Sequence, residues 1–184
     1  MHLRIEQIKE DGLDLEFEEQ PEVFPVLSEM INQGECNFIA PLKTVLRAIR
    51  IDDMIDVKGN INTVVRLPCG RCLKEYVTPL KSRFDLTYVH RLPDFQEDEQ
   101  PDEIEVSAAE MGLIYFEGED INLQDGIQEQ VIMALPVRAL CSENCKGLCA
   151  ECGKDLNAGD CGCNRQPPDN RFAALKKLKL DKKT

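Results

Sequence analysis

The chain has 184 residues, 42% of them hydrophobic and 30% charged, and a formal net charge of −12. That length allows one good core, or a core with a small appendage, and no apolar run reaches the roughly 18 residues a membrane span needs. The charge is uneven: residues 164–184 hold seven Lys/Arg against two Asp/Glu, a net +5, so the preceding 163 residues carry −17. A body this acidic repels a phosphate backbone over most of its surface. Direct RNA contact is therefore expected only at the basic tail or a local patch, and a protein partner fits more easily.

The opening "MHLRIEQIKEDG" mixes charge with apolar residues and lacks the continuous apolar stretch of a secretory signal. A reducing cytoplasmic setting is expected, where nine cysteines argue for metal or catalysis over disulfides. Residues 3–17, "LRIEQIKEDGLDLEF", alternate on both sides of Asp11-Gly12, which predicts a hairpin. Residues 44–67 are the strongest strand region. Ile55, Val57, Ile61, Thr63, Val65 and Leu67 share one parity, and Gly59-Asn60 is read as a turn or bulge interrupting them. Residues 83–89 alternate again through Phe84, Leu86 and Tyr88, so the centre reads as an antiparallel sheet.

Residues 94–105 hold seven acids and no base, the composition of a solvated loop. Residues 122–136 predict a helix, with Asn122 as N-cap, Leu123, Ile127, Val131 and Leu135 along one stripe, and Pro136 closing it. The stripe is one for core packing. Residues 171–180, "RFAALKKLKL", form a short basic amphipathic helix, read as docked on the sheet by Phe172, Leu175 and Leu178. The expected fold is α+β. Residues 1–140 form a β-rich antiparallel core with a packed helix near 122–135. Residues 141–184 form a cysteine-rich zinc-binding module with the basic terminal helix, packed on that core.

The cysteines carry the chemistry. Zinc favours four tetrahedral ligands, and thiolate suits it. In Cys149-Ala-Glu-Cys152-Gly153 a C-x-x-C pair wraps around one ion, and the small residue after it lets the chain reverse and aim backbone N–H groups at the sulfurs. Cys161-Gly162-Cys163 supplies the other two ligands across a turn-rich connector. Cys69-Gly-Arg-Cys72, ending the best strand, and Cys141 with Cys145, following the helix, each supply half a site. Together they make a second, split zinc site if helix and strand end in the same place. Cys36 is left over as a partly buried thiol. The pair Cys69/Cys72 also admits a thiol redox reading, although no βαβ pattern flanks it. The basic tail admits a zinc-ribbon nucleic-acid binder. His2 and His90 lie near no nucleophile motif, and neither a phosphate loop nor a dinucleotide fingerprint is present. A zinc closed by four thiolates offers substrate no open position; the sites read as structural and the protein as no enzyme, with no small-molecule substrate.

Three stretches together resemble one family. "VVRLPCGRCLKEY", "INLQDGIQEQVIMALPVRALC" and "CKGLCAECGKDLNAGDCGCNRQPPDNRFAALKKL" are similar to segments of the YceD-like large ribosomal RNA subunit accumulation proteins of bacteria and plastids. The resemblance implies a role in the synthesis, processing or stability of large-subunit ribosomal RNA. It carries over no catalytic residue, only the placement of the eight cysteines. The acidity of the body then points to ribosomal or rRNA-processing proteins, whose basic surfaces it attracts, as the partners.

Overall fold

The computed structural model describes residues 1–90 and 112–163. The acidic segment 94–105 and the predicted helix 171–180 lie outside the described residues. In chain order the elements are β1 (His2–Arg4), β2 (Leu13–Glu19), α1 (Pro25–Asn32), β3 (Asn37–Phe38), β4 (Leu42–Ile51), β5 (Met54–Pro68), β6 (Glu75–Val89), β7 (Leu113–Tyr115), β8 (Asp120–Asn122) and α2 (Gln124–Ala134). The main sheet runs β2-β4-β5-β6-β7, with β3 paired to β5 beside β4. It is antiparallel except where β7 joins β6 in parallel.

The alternation in β5 and β6 means what the pleat requires. Ile55, Val57, Ile61, Thr63, Val65 and Leu67 face inward, with Leu80, Phe84, Leu86 and Tyr88 beside them from β6. Leu123, the N-cap of α2, and Ile127 and Val131 within it join this core, as do Phe24 and Leu27 from the α1 segment. Burying both helices against one face leaves the other face exposed, mostly polar but with Val45 and Val77 open on it. There, Arg47–Asp14, Lys43–Glu18 and Lys58–Asp85 pair across strands at 3.0, 3.3 and 2.9 Å. Exposed pairs of this kind contribute about 0–1 kcal/mol each.

Three expectations change. The residues around Asp11-Gly12 turn, but they do not join a hairpin: β1 pairs with β8, and β2 pairs with β4. Alternation marks a strand without naming its partner, and long-range pairing wins here. Gly59-Asn60 is neither turn nor bulge, because β5 runs through it in unbroken register with β4 and β6. The glycine is there for space. A Cβ at Gly59 would lie 2.6 Å from the Val45 carbonyl oxygen, 2.7 Å from Phe84 Cζ and 2.8 Å from Leu46 Cβ. Asn122 sits one place before the N-cap, yet its Oδ1 still accepts from the Gln124 N–H at 3.0 Å.

α1 has no counterpart among the sequence expectations. Pro25 occupies its first turn, where a missing N–H costs nothing. The buried Gln128 of α2 accepts the Val26 N–H at 2.8 Å, so one helix completes the start of the other. Gly126 lets α2 approach β6 closely; a Cβ there would meet Tyr88 Oη at 2.8 Å. The net result places the end of the β5–β6 hairpin and the exit of α2 side by side.

Candidate metal centres

Six residues, 69–74, connect β5 to β6. The Cys69 N–H donates to the Lys74 carbonyl, and the Leu73 N–H donates back to the Cys69 carbonyl, both at 2.9 Å. The backbone N–H groups of Cys141, Cys72 and Arg71 favour the ionised Cys69 thiol. Leu73 takes a φ of +59°, a left-handed conformation in which a side chain is strained.

Residues 149–154 repeat this geometry. The Cys149 N–H donates to the Lys154 carbonyl and the Gly153 N–H to the Cys149 carbonyl, both at 2.8 Å. Gly153 has φ +71°, and the backbone N–H groups of Cys152 and Glu151 favour the ionised Cys149 thiol. The sequence carries the common signal, C-x-x-C-x-K, in both loops. It is the sixth-position lysine's carbonyl that closes each knuckle, a role the sequence reading missed.

α2 ends beside the first knuckle, where the Gly70 N–H donates to the Ala139 carbonyl at 2.7 Å. That contact delivers Cys141 and Cys145 to Cys69 and Cys72. Their four sulfurs all lie within 4.8 Å of one another, and the same holds for Cys149, Cys152, Cys161 and Cys163. The sulfur of Cys69 is 3.8 Å from that of Cys145, and that of Cys72 is 3.7 Å from that of Cys141. Four sulfurs placed at about 2.3 Å around one tetrahedral ion stand about 3.8 Å apart. The donor set therefore fits a tetrahedral thiophilic metal, and each group of four could hold one ion.

The protons of the bare clusters report the same crowding. Backbone N–H groups, those of Cys141 and Cys72 foremost, pull the Cys69 thiol down to about 6. Those of Cys152 and Glu151 do the same to Cys149, also to about 6. Cys141, facing the sulfurs of Cys145 and Cys72, is pushed up to about 12, and Cys163, facing Cys152 and Cys161, likewise. Like charges packed this closely cannot all ionise without a cation among them.

The two centres differ in cover. Cys69, Cys72 and Cys145 are buried and only Cys141 is exposed; in the second, Cys149 is buried, Cys161 and Cys163 are half-buried, and Cys152 is exposed. Arg71 braces the first by donating from Nη1 to the Cys145 carbonyl at 2.8 Å. Lys74 Nζ meets Asp155 Oδ2 at 2.6 Å, tying the first knuckle to the connector of the second. Asn157, in that same connector, donates from Nδ2 to the Cys145 sulfur at 3.4 Å. None of these three was singled out from sequence; the long-range contacts that define them leave no periodic trace. Cys36 is the ninth cysteine, buried apart from both clusters, with burial and Glu35 pushing its thiol up. No helix begins at Cys69 or Cys72, as a thioredoxin-like dithiol would require; the pair lies in a strand-to-strand loop.

Comparison with known proteins follows the same residues. The family model described as large ribosomal RNA subunit accumulation protein YceD matches residues 57–179, from inside β5 through both cysteine groups. The chain belongs to the YceD family. Among curated YceD relatives is the large ribosomal RNA subunit accumulation protein YCED homolog 1, chloroplastic, of Arabidopsis thaliana. It is 25% identical over 162 residues, covering 76% of this chain and 49% of the plant protein. The Zea mays protein of the same description is 29% identical over 124 residues, 57% of this chain and 42% of its own length. An uncharacterized protein of Mycobacterium tuberculosis is 31% identical over 147 residues, 79% of this chain and 63% of its own length. The chain thus spans about half the length of the plant YceD homologs it matches. No solved structure matches it. The family names support a ribosome-related role for YceD proteins, and no helix among the described residues is long and apolar enough to cross a membrane.

Proposed function

We propose that this YceD protein is a cytoplasmic, non-enzymatic factor in the synthesis, processing or stability of large-subunit ribosomal RNA, with two structural zinc ions. The observation that carries the reading is the gathering of eight cysteines into two four-sulfur groups within a chain that matches this family. Cys149, Cys152, Cys161 and Cys163 would hold one zinc, and Cys69, Cys72, Cys141 and Cys145 the other. Bound there, zinc would supply cross-linking and folding energy, on the order of 10–16 kcal/mol per site. With four thiolates on each ion, no position remains for water or substrate.

The protein's own residues then act by presenting surface. The four-thiolate zinc centres would each carry −2, adding to a body already at −17 over its first 163 residues. Such a surface attracts the basic ribosomal or rRNA-processing proteins and leaves direct RNA contact to the basic tail. Residues 141–184 constitute, in this reading, a zinc module attached to the β-rich core.

The test is genetic and biochemical together. Removing the gene lowers the large-subunit rRNA relative to the small-subunit rRNA, and affinity purification after nuclease treatment retains basic assembly proteins. An unchanged rRNA ratio, or retention of RNA stripped of every ribosomal and processing protein, overturns the proposal.

A further inference from the structure

We infer that Asn157 couples the two metal centres, so that an ion in the Cys149/Cys152/Cys161/Cys163 group raises metal affinity in the Cys69/Cys72/Cys141/Cys145 group. This rests on the zinc reading above and goes beyond it, since two independent structural ions would serve that reading equally well.

Asn157 belongs to the connector between Cys152 and Cys161, the loop that the second centre closes, yet its amide serves the first. Nδ2 donates to the Cys145 sulfur at 3.4 Å and to Asp155 Oδ1 at 2.8 Å, while Oδ1 accepts the Lys146 N–H at 2.8 Å. Every polar group of that side chain is thus committed to holding the chain around Cys145. Asp155 is in turn fixed from the first knuckle by Lys74 at 2.6 Å. Backbone bonds run along the same seam: Leu156 N–H to the Gly147 carbonyl at 2.9 Å, and Leu148 N–H to the Arg71 carbonyl at 3.1 Å. A Cβ at Gly147 would stand 3.0 Å from that same Arg71 oxygen, so the seam leaves no slack.

A donor on a ligand sulfur stabilises thiolate charge and helps the ligand compete for metal against protons; losing such a partner typically lowers metal affinity about 10–100-fold. Asn157 sits in residues 153–160, a loop braced from the first knuckle by Lys74 and by the Leu156–Gly147 backbone bond, and an ion joining Cys149 and Cys152 to Cys161 and Cys163 would fix both its ends as well. Without that ion the ends of the connector regain conformational freedom, and the Asn157 donor is held less firmly against Cys145. The coupling is reciprocal by linkage. Because the second group is the more open to solvent, it exchanges metal first, and the buried centre follows its occupancy.

The experiment uses the full chain loaded with cadmium-113 for NMR, and with zinc under chelator competition for affinities. Two resonances are expected, one abolished by Cys69→Ser and the other by Cys163→Ser. Asn157→Ala should shift the first and leave the second in place, with zinc affinity at the first centre lowered about 10–100-fold. Asn157→Asp, which keeps the shape but sets a carboxylate beside the sulfur, should lower it further. Cys163→Ser should weaken the first centre too, and adding it to Asn157→Ala should weaken that centre no further than Asn157→Ala alone. A first resonance unmoved by Asn157→Ala, or a first-centre affinity within about twofold of the original in either Asn157→Ala or Cys163→Ser, overturns the coupling. Were neither group to take up metal, the zinc reading itself would fall; two bound ions indifferent to Asn157 would sink the coupling alone.

Discussion

Gly59→Ala should be among the most destabilising small changes in the protein, although it adds one methyl group. The new Cβ would stand 2.6 Å from a backbone carbonyl of β4, 2.7 Å from Phe84 and 2.8 Å from Leu46. Ordinary contacts begin near 3.4 Å, so three neighbours on two flanking strands must retreat at once. One is main chain within the ladder and has no rotamer to relax into. Overpacking by a methylene costs about 1–3 kcal/mol, and the backbone contact puts this case at the upper end, about 3 kcal/mol. For a chain of this size that is a fall in melting temperature of about 6–12 °C. Calorimetry or urea unfolding of the metal-loaded protein measures it, with Asn60→Ala on the solvent face of β5 as the control expected to stay within about 0.5 kcal/mol. Adding Phe84→Leu should recover only part of the loss, because the carbonyl contact remains. A Gly59→Ala protein as stable as its parent would refute the continuous β5 described here and restore the turn.

Leu73→Gly should stabilise the protein by about 1 kcal/mol, since a left-handed φ penalises a side chain by about that much and Leu73 is 67% exposed with little burial to lose; a destabilised variant in chemical unfolding contradicts the knuckle. The converse change, Gly153→Leu, should cost a similar amount at the matching position of the second knuckle. Tyr88→Phe should raise stability by about 1 kcal/mol, because the hydroxyl is buried without a hydrogen-bond partner among the described residues; a loss of that size would reveal a partner. In metal-free, reduced protein, Cys69 and Cys149 are held near 6 while the unfolded thiol sits at 9.0. Their folded forms bind fewer protons between those values, so their contribution grows from pH 6 to 9 and is lost as pH falls through 6. Cys141 and Cys163, near 12, act oppositely and weaken the fold from pH 9 to 12. Thiolate absorbance should therefore show groups titrating well below 9, with Cys69 and Cys149 near pH 6, and the contribution of these four thiols to stability should peak near pH 9; nine thiols titrating together near 9 would contradict it.

The sequence made the sheet's inner face and the cysteine sets readable for different reasons. Period-two alternation from Ile55 to Leu67 reflects burial directly, so every one of those inward residues proved buried. The grouping of Cys69 and Cys72 with Cys141 and Cys145 followed from ligand count alone, because neither pair can complete a tetrahedron. What stayed hidden depended on partners. β1 alternates as a hairpin strand should, but its mate β8 lies more than a hundred residues away. Gly59 looked like punctuation because one sequence cannot distinguish a glycine needed for its φ from one needed for its missing Cβ. α1 is short, begins with a proline and follows another, so its signals were those of a loop. Asn157 acts through side-chain hydrogen bonds to Cys145 and Lys146 that no spacing rule marks, and Lys74, though set by the shared C-x-x-C-x-K spacing, shows its ion pair with Asp155 only in the fold.

Metal content after single cysteine changes tests the central claim most directly. Native mass spectrometry of protein purified under reducing conditions should find two zinc ions in the unaltered chain. Cys69→Ser and Cys141→Ser should impair the same centre, and Cys149→Ser and Cys163→Ser the other. Metal-free protein whose Cys69 and Cys72 cycle between dithiol and disulfide would contradict the account.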